Sequence, residues 1–452
     1  MGDAKPPRLM SLANGSVNNS KPTHPRMPRY HAPGNVLNNN YFISRSGTRA
    51  YSSGSFASNS NSSVDMGYGN GYMYNYAPQL TLDGEAELEQ CLRDGKVEMA
   101  AKKKEWYPLM TDLLPTSPLW KHYIYAVLMR EPGSFQRLAA HVFGNFFAQT
   151  LVKHATAPVH QQWIMTSLFE NLDDLCFNRY ACRVVQQIFD HFPPDTKAVL
   201  FNTILQREDV LRMTNDGNAN HVIQKMIEDL PIAYWRNLLD IYLAGEGTFF
   251  NIIEDKFGCR IMQLAVDHLA IAYEDKKSHL EAKACLEPFM ALMIDNCERL
   301  SSHEYANYVV QQVIKCISGY RSELIRTCLL RNLLSLSQEK YASHVVECAL
   351  KCGDAQDVYL MLEELFDGYM PEPKTGRNCI DVLLYHQYGN YVVQHMLSAC
   401  YENAKLPEFA IYRSRLLEWG DRLKALIDTN SSYLSRYSSG KKMLHSLDHL
   451  LK

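Results

Sequence analysis

The sequence predicts an all-α solenoid of stacked helical repeats, preceded by a long segment with no core of its own. Three observations carry that expectation. Composition changes abruptly near residue 82, the sequence beyond it is amphipathic with helical spacing, and one seven-residue pattern returns seven times.

The chain has 452 residues, 46% of them hydrophobic, which is more than one globular core ordinarily holds, so two regions or a repeat array are expected. Residues 1–82 are rich in Asn, Ser, Gly, Tyr and Pro. From Tyr51 to Tyr76 (YSSGSFASNSNSSVDMGYGNGYMYNY) small polar residues alternate with tyrosines, and almost no aliphatic side chain is available for burial. Such a stretch predicts disorder, with tyrosine-driven self-association as an alternative use. Residues 83–452 hold nearly all the Leu, Ile and Val and form the second region.

The formal net charge of −3 offers no Lys/Arg surplus, which argues against binding dominated by nucleic-acid phosphates and leaves binding through bases. The 12 cysteines include no CxxC pair and follow no apolar signal segment, so reduced thiols in the cytosol are expected. Pro6 stands where a myristoylation motif needs Ser or Thr, and no apolar run is long enough to span a bilayer. A soluble cytoplasmic protein is expected.

The repeated pattern is a residue that is usually Phe or Tyr, then Gly or Ala, a small polar residue, three further residues, and Gln or Glu. It reads FGNFFAQ at 143–149, YACRVVQ at 180–186, NANHVIQ at 218–224 and FGCRIMQ at 257–263. It returns as YANYVVQ at 305–311, YASHVVE at 341–347 and YGNYVVQ at 388–394. The third residues fall at 145, 182, 220, 259, 307, 343 and 390, giving steps of 37, 38, 39, 48, 36 and 47. A period in the high thirties made only of helix-type sequence means stacked helical hairpins or triplets. The two long steps require insertions, expected as loops near Ala270–Ala284 and Asp367–Cys379.

On a helix, the third and seventh residues of each motif are i and i+4 and share a face. The pairs are Asn145/Gln149, Cys182/Gln186, Asn220/Gln224, Cys259/Gln263, Asn307/Gln311, Ser343/Glu347 and Asn390/Gln394. The fifth and sixth residues are apolar and face a core, and the Gly or Ala at the second position is read as thinning the helix start so that a ligand can come close. One such pair would be an ordinary solvated stripe, but seven in one frame have no role in stability. The fourth residues are Phe146, Arg183, His221, Arg260, Tyr308, His344 and Tyr391. All seven are planar groups, one per repeat beside a polar pair, as a ladder for stacking bases requires.

These motifs resemble those of the Pumilio (PUF) family, over roughly residues 85–452. The resemblance implies a right-handed superhelical crescent of three-helix repeats with helical caps. It implies that each repeat presents two base-edge residues and one stacking residue to single-stranded RNA. Hydrogen-bond inventory assigns some bases directly. Ionised Glu347 only accepts, and guanine alone offers two adjacent Watson–Crick donors. Asn with Gln suits uracil, and the smaller Cys leaves room for adenine. The resemblance implies the same code and an antiparallel strand, which together spell 5′-UGUAUAU-3′ from Asn390 back to Asn145. It further implies binding to 3′ untranslated regions as a monomer, and repression through partners such as a deadenylase complex. The Pro-containing loop at Asp367–Cys379 is the expected partner-docking site. Two departures stand out: a first unit near Val97–Leu114 has no edge-reading pair, and His344 replaces a more usual Asn.

Other classes fit less well. No Gly-rich phosphate loop, HExxH or GxSxG is present, and the histidines lack metal spacing; His154 and His160 flank a Pro-containing turn. No catalysis, metal or cofactor is expected. A protein-binding helical scaffold would not need seven matched pairs with a planar neighbour, and relatives that grip nucleic acid without sequence preference typically lose those pairs.

Overall fold

Proline sets where the outer helices begin. Pro118, Pro158 and Pro194 each occupy the first position of a helix, where the missing N–H costs nothing and the fixed φ is already helical. The computed structural model describes residues 86–450 apart from Glu208; the 1–82 region expected to be disordered lies outside them. Among the described residues every regular element is a helix.

The unit is a triplet. Leu172–Phe177, Ala181–His191 and Pro194–Leu205 form one: a short helix, an inner helix carrying the motif, and an outer helix. The inner helices are Gly144–His154, Ala181–His191, Asn220–Asp229, Gly258–Glu274, Ala306–Cys316, Ala342–Cys352 and Gly389–Asn403, and each packs on the next. The stack is closed at one end by Tyr107–Thr116, which packs on Gly144–His154, and at the other by Ser438–Leu450 on Gly389–Asn403. These are the helical caps that a solenoid needs over its terminal core.

Packing follows the motif. The fifth and sixth residues are buried in all seven units, from Phe147 and Ala148 through Val184 and Val185 to Val392 and Val393. Burying each Val or Phe is worth about 1.5–3 kcal/mol, so these pairs fix how every inner helix is rotated about its axis.

The small second residue has a different purpose from the one the sequence suggested. It is buried, and it lets the preceding short helix end close by. A Cβ on Gly258 would lie 2.3 Å from the Ile252 carbonyl oxygen, and one on Gly144 would lie 2.8 Å from that of Leu138. The thin helix start therefore admits protein backbone and not a ligand.

The two insertions differ. Residues 368–378 are non-helical between Asp367 and Cys379, as expected. Ala270–Ala284 is not a loop: the inner helix continues to Glu274 and the outer one starts at His279. This stretch contains neither Gly nor Pro, its Ala, Leu, Glu and Lys favour helix, and Ala270 and Ala272 are buried. Only a short turn remains, in which the Asp275 carboxylate accepts from the Ser278 hydroxyl at 2.8 Å. All twelve cysteines are free thiols in this structure. Among the described residues no helix is long and apolar enough to cross a membrane.

Candidate nucleic-acid interface

Six of the seven inner helices begin with a cap that their own sequence supplies; the Ser343 unit, with Glu339 at that offset, is the exception. Four residues before the third motif position, Asn178, Asp216 and Asp255 accept through Oδ1 from the two backbone N–H groups that open the motif, at 2.7–3.0 Å. His141, His303 and His386 do the same through Nδ1 at 3.2–3.3 Å. Helix-opening N–H groups have no intrahelical partner, so these caps hold six of the seven reader helices at a fixed start. The sequence reading missed them. Their signal was present in the recurrence of Asx or His at one offset.

With rotation fixed by burial in every unit and the start capped in six, the motif residues take the same stations in all seven. The third residue is nearly buried: Asn145 is 2% exposed, Cys182 3%, Asn220 1%, Cys259 3%, Asn307 1%, Ser343 1% and Asn390 7%. The seventh is half-buried at Gln149, Gln186, Gln224, Gln263, Gln311, Glu347 and Gln394. The fourth is exposed at Phe146, Arg183, His221, Arg260, Tyr308, His344 and Tyr391. Planar groups thus stand in solvent, one per unit, above a row of half-buried amides.

The third residue controls how each amide is held. Asn145 donates its amide hydrogens to the carbonyls of His141 and Val142, both at 2.9 Å, and Asn307 and Asn390 bond their own turns in the same way. Its Oδ1 then accepts from the Gln149 amide at 3.1 Å, and the Asn307/Gln311 pair matches it at 2.9 Å. In the Cys units, Gln186 and Gln263 donate instead to the backbone carbonyls of Cys182 and Cys259, at 3.1 and 3.2 Å. One amide hydrogen is committed either way. What remains is an N–H beside a C=O, a donor–acceptor edge of the kind that uracil and adenine present.

The Ser343 unit is different. The Glu347 carboxylate lies 3.4 Å from His344 of its own helix and 3.4 Å from His395 of the next inner helix. Burial would raise its pKa, but the two imidazoles outweigh that and hold it below the ordinary carboxylate range. The contact with Glu347 raises the pKa of His344. Oε1 faces His344 Nδ1 and Oε2 faces His395 Nε2, and the buried Oε1 accepts no hydrogen bond of ordinary geometry. His395 was not foreseen, because nothing in its sequence position brings it to a residue 48 positions earlier.

Comparison with known proteins then identifies the architecture. The Pumilio-family RNA binding repeat matches seven segments, 134–168, 171–205, 209–240, 249–270, 296–325, 332–366 and 383–406. A crystal structure of PUF-6 in complex with 5BE13 RNA superposes with a TM-score of 0.70 and 32% identity, covering 80% of this chain and 99% of that one. The chain belongs to the Pumilio family. Fem-3 mRNA-binding factor 1 of Caenorhabditis elegans is 30% identical over 348 residues, 73% of this chain and 56% of its own length. Pumilio domain-containing protein 5 of the same organism is 37% identical over 343 residues, 73% of this chain and 60% of its own. The chain thus spans a little over half the length of these curated relatives. The seven matched Pumilio-family RNA binding repeats each contain one of the seven motifs.

The histidine caps make a pH prediction. Burial lowers the pKa of His141 and His386, so the folded chain favours their neutral, accepting form. That stability is fully present above the ordinary histidine pKa of 6.5 and is lost as pH falls below it, because the unfolded chain takes up the proton first. Melting temperature should therefore fall between pH 7.5 and 5.5. The double variant His141→Asn/His386→Asn, which copies the Asn178 cap, should lose less over the same range. An equal loss in both proteins would remove the caps from the explanation.

Proposed function

We propose that this chain binds the seven-base element 5′-UGUAUAU-3′ in the 3′ untranslated regions of messenger RNAs and lowers their translation or stability. The observation that carries the reading is the buried Glu347 Oε1, which has the His344 imidazole 3.4 Å away and accepts no hydrogen bond. Among the seven edge residues of its row, Glu347 is the one carboxylate among six glutamines. Kept ionised, it needs donors, and guanine supplies two adjacent N–H groups on one edge. Ser343 leaves space for the purine beneath them.

The six glutamines each keep one donor and one acceptor. With Asn at the third position the site is narrow and suits uracil, as at Asn390, Asn307, Asn220 and Asn145. With Cys the smaller side chain admits adenine, as at Cys259 and Cys182. The planar residues sandwich successive bases, each stack worth ~1–3 kcal/mol. Stacking of that size lets a chain of net charge −3 hold RNA without a cationic surplus. Charges on the inner face are also paired across units, as Lys225 with Asp190 at 2.6 Å. The printed names of relatives, a fem-3 mRNA-binding factor and a PUF protein in complex with RNA, support messenger RNA as the ligand.

Repression requires partners, and residues 368–378 are the surface we assign to them. The segment is a turn at the end of an outer helix, closed by the Glu372 and Arg377 backbone at 2.8 Å. At its base the Tyr369 hydroxyl is bonded to the half-buried Glu364 carboxylate, which keeps the projection in place.

Two outcomes test these readings. In a binding titration the wild-type chain should prefer UGUAUAU over UUUAUAU by at least about tenfold, since one mismatched base costs ~1–3 kcal/mol. Ser343→Asn with Glu347→Gln should reverse that preference, and indifference to the base in both proteins would remove the ladder as a reader. Replacing residues 370–376 by a short Gly-Ser linker should abolish co-purification of a deadenylase and leave RNA affinity within about twofold; a parallel loss of RNA affinity would show that the segment serves the RNA surface.

A further inference from the structure

The unit that precedes the seven motifs has the triplet architecture, with helices Val97–Lys102, Tyr107–Thr116 and Pro118–Leu128. Its inner helix packs on the next inner helix as the others do. Register is set by burial: Leu113 and Leu114 are buried as Leu151 and Val152 are, 38 residues later. At that offset Tyr107 holds the third motif position, Pro108 the fourth and Thr111 the seventh.

None of the three can read a base in the manner of the other units. The Thr111 hydroxyl donates to the Tyr107 carbonyl at 2.8 Å and is spent within its own turn. Pro108 offers no planar group. Tyr107 puts an aromatic ring where the other units have a small polar residue. That ring lies parallel to the Phe146 ring, 5.3 Å between centroids at 23°, and to Phe143 at 5.5 Å and 14°. Both separations are those of an offset stack. Phe146 is the first planar group of the ladder, and the Tyr107 ring stacked on it comes from the unit before it, opposite in chain order to the other six.

We propose that Tyr107 is a specificity-determining residue that terminates the stack: its ring occupies the place of an eighth base against Phe146 and limits the RNA footprint to seven nucleotides. The inference rests on the base-ladder function proposed above. With the strand antiparallel, the blocked place is at the 3′ end of the element. A base added there would find its stacking face covered and no edge to pair with, so it stays in solvent.

The test uses the full chain and three RNAs: UGUAUAU, the same RNA with a 3′ adenosine, and the same RNA with a 3′ abasic nucleotide. In the wild type the adenosine and abasic extensions should bind within about twofold of each other. In Tyr107→Ala the adenosine extension should bind at least about fivefold tighter than the abasic one, the lower end of what one stacked base contributes. Tyr107→Phe, which keeps the ring, should behave as wild type. A measurement that needs no variant guards against misfolding: 2-aminopurine at the eighth position should remain as bright as in free RNA, while at the sixth position it should be quenched. A wild-type gain from the added base, or quenching at the eighth position, overturns the proposal while leaving the reader function in place. Failure of the wild type to prefer UGUAUAU over UUUAUAU would overturn both.

Discussion

Each reader helix depends on an apolar pair placed between two polar residues. Val184 and Val185, Val309 and Val310, and their equivalents are buried in every unit, and that burial determines which side of the helix faces the neighbouring units. The 100° step of an α-helix then leaves no freedom for the rest. With the fifth and sixth residues inward, the fourth must stand in solvent, the third must lie at the buried helix start, and the seventh must sit half-covered one turn on. Reading geometry is therefore a by-product of core packing, and repeating the core repeats the geometry.

Rotation alone would leave the readers free to slide along the helix axis. In six units the Asx and His caps remove that freedom, and the small second residue permits it to be removed, since the short helix before the motif ends against its backbone. Gly258 shows how tight the fit is, with a carbonyl oxygen 2.3 Å from where a Cβ would be. Hydrogen bonds at the third position finish the arrangement by fixing each glutamine amide through one hydrogen. The guanine unit departs from this pattern where its proposed chemistry requires it, with a carboxylate whose two oxygens each face one imidazole and whose Oε1 accepts no hydrogen bond.

Much of this was legible in the amino-acid sequence because it is local. The motif period, the i and i+4 pairs and the planar fourth residues all depend on spacing along one helix, and the 368–378 loop was marked by Pro371, Pro373 and Gly376. What escaped depends on contacts between units or on a choice between two good local structures. His395 meets Glu347 only because two inner helices stack. Gly144 and Gly258 look suited to admitting a ligand until the preceding helix is placed. Residues 270–284 carry ten extra positions that helix propensity turns into longer helices where a loop was expected. Tyr107 falls in a unit whose motif is absent, so only burial of Leu113 and Leu114 reveals its register.

The central claim is that each unit acts alone on one base, and selection from a fully randomised RNA pool tests it most directly. The wild-type chain should return UGUAUAU. The Cys259→Asn chain, which alters one third-position residue, should return the same consensus with uracil in place of adenine at the fourth position and no other change. A consensus altered at several positions, or unaltered at the fourth, would contradict a one-unit, one-base account.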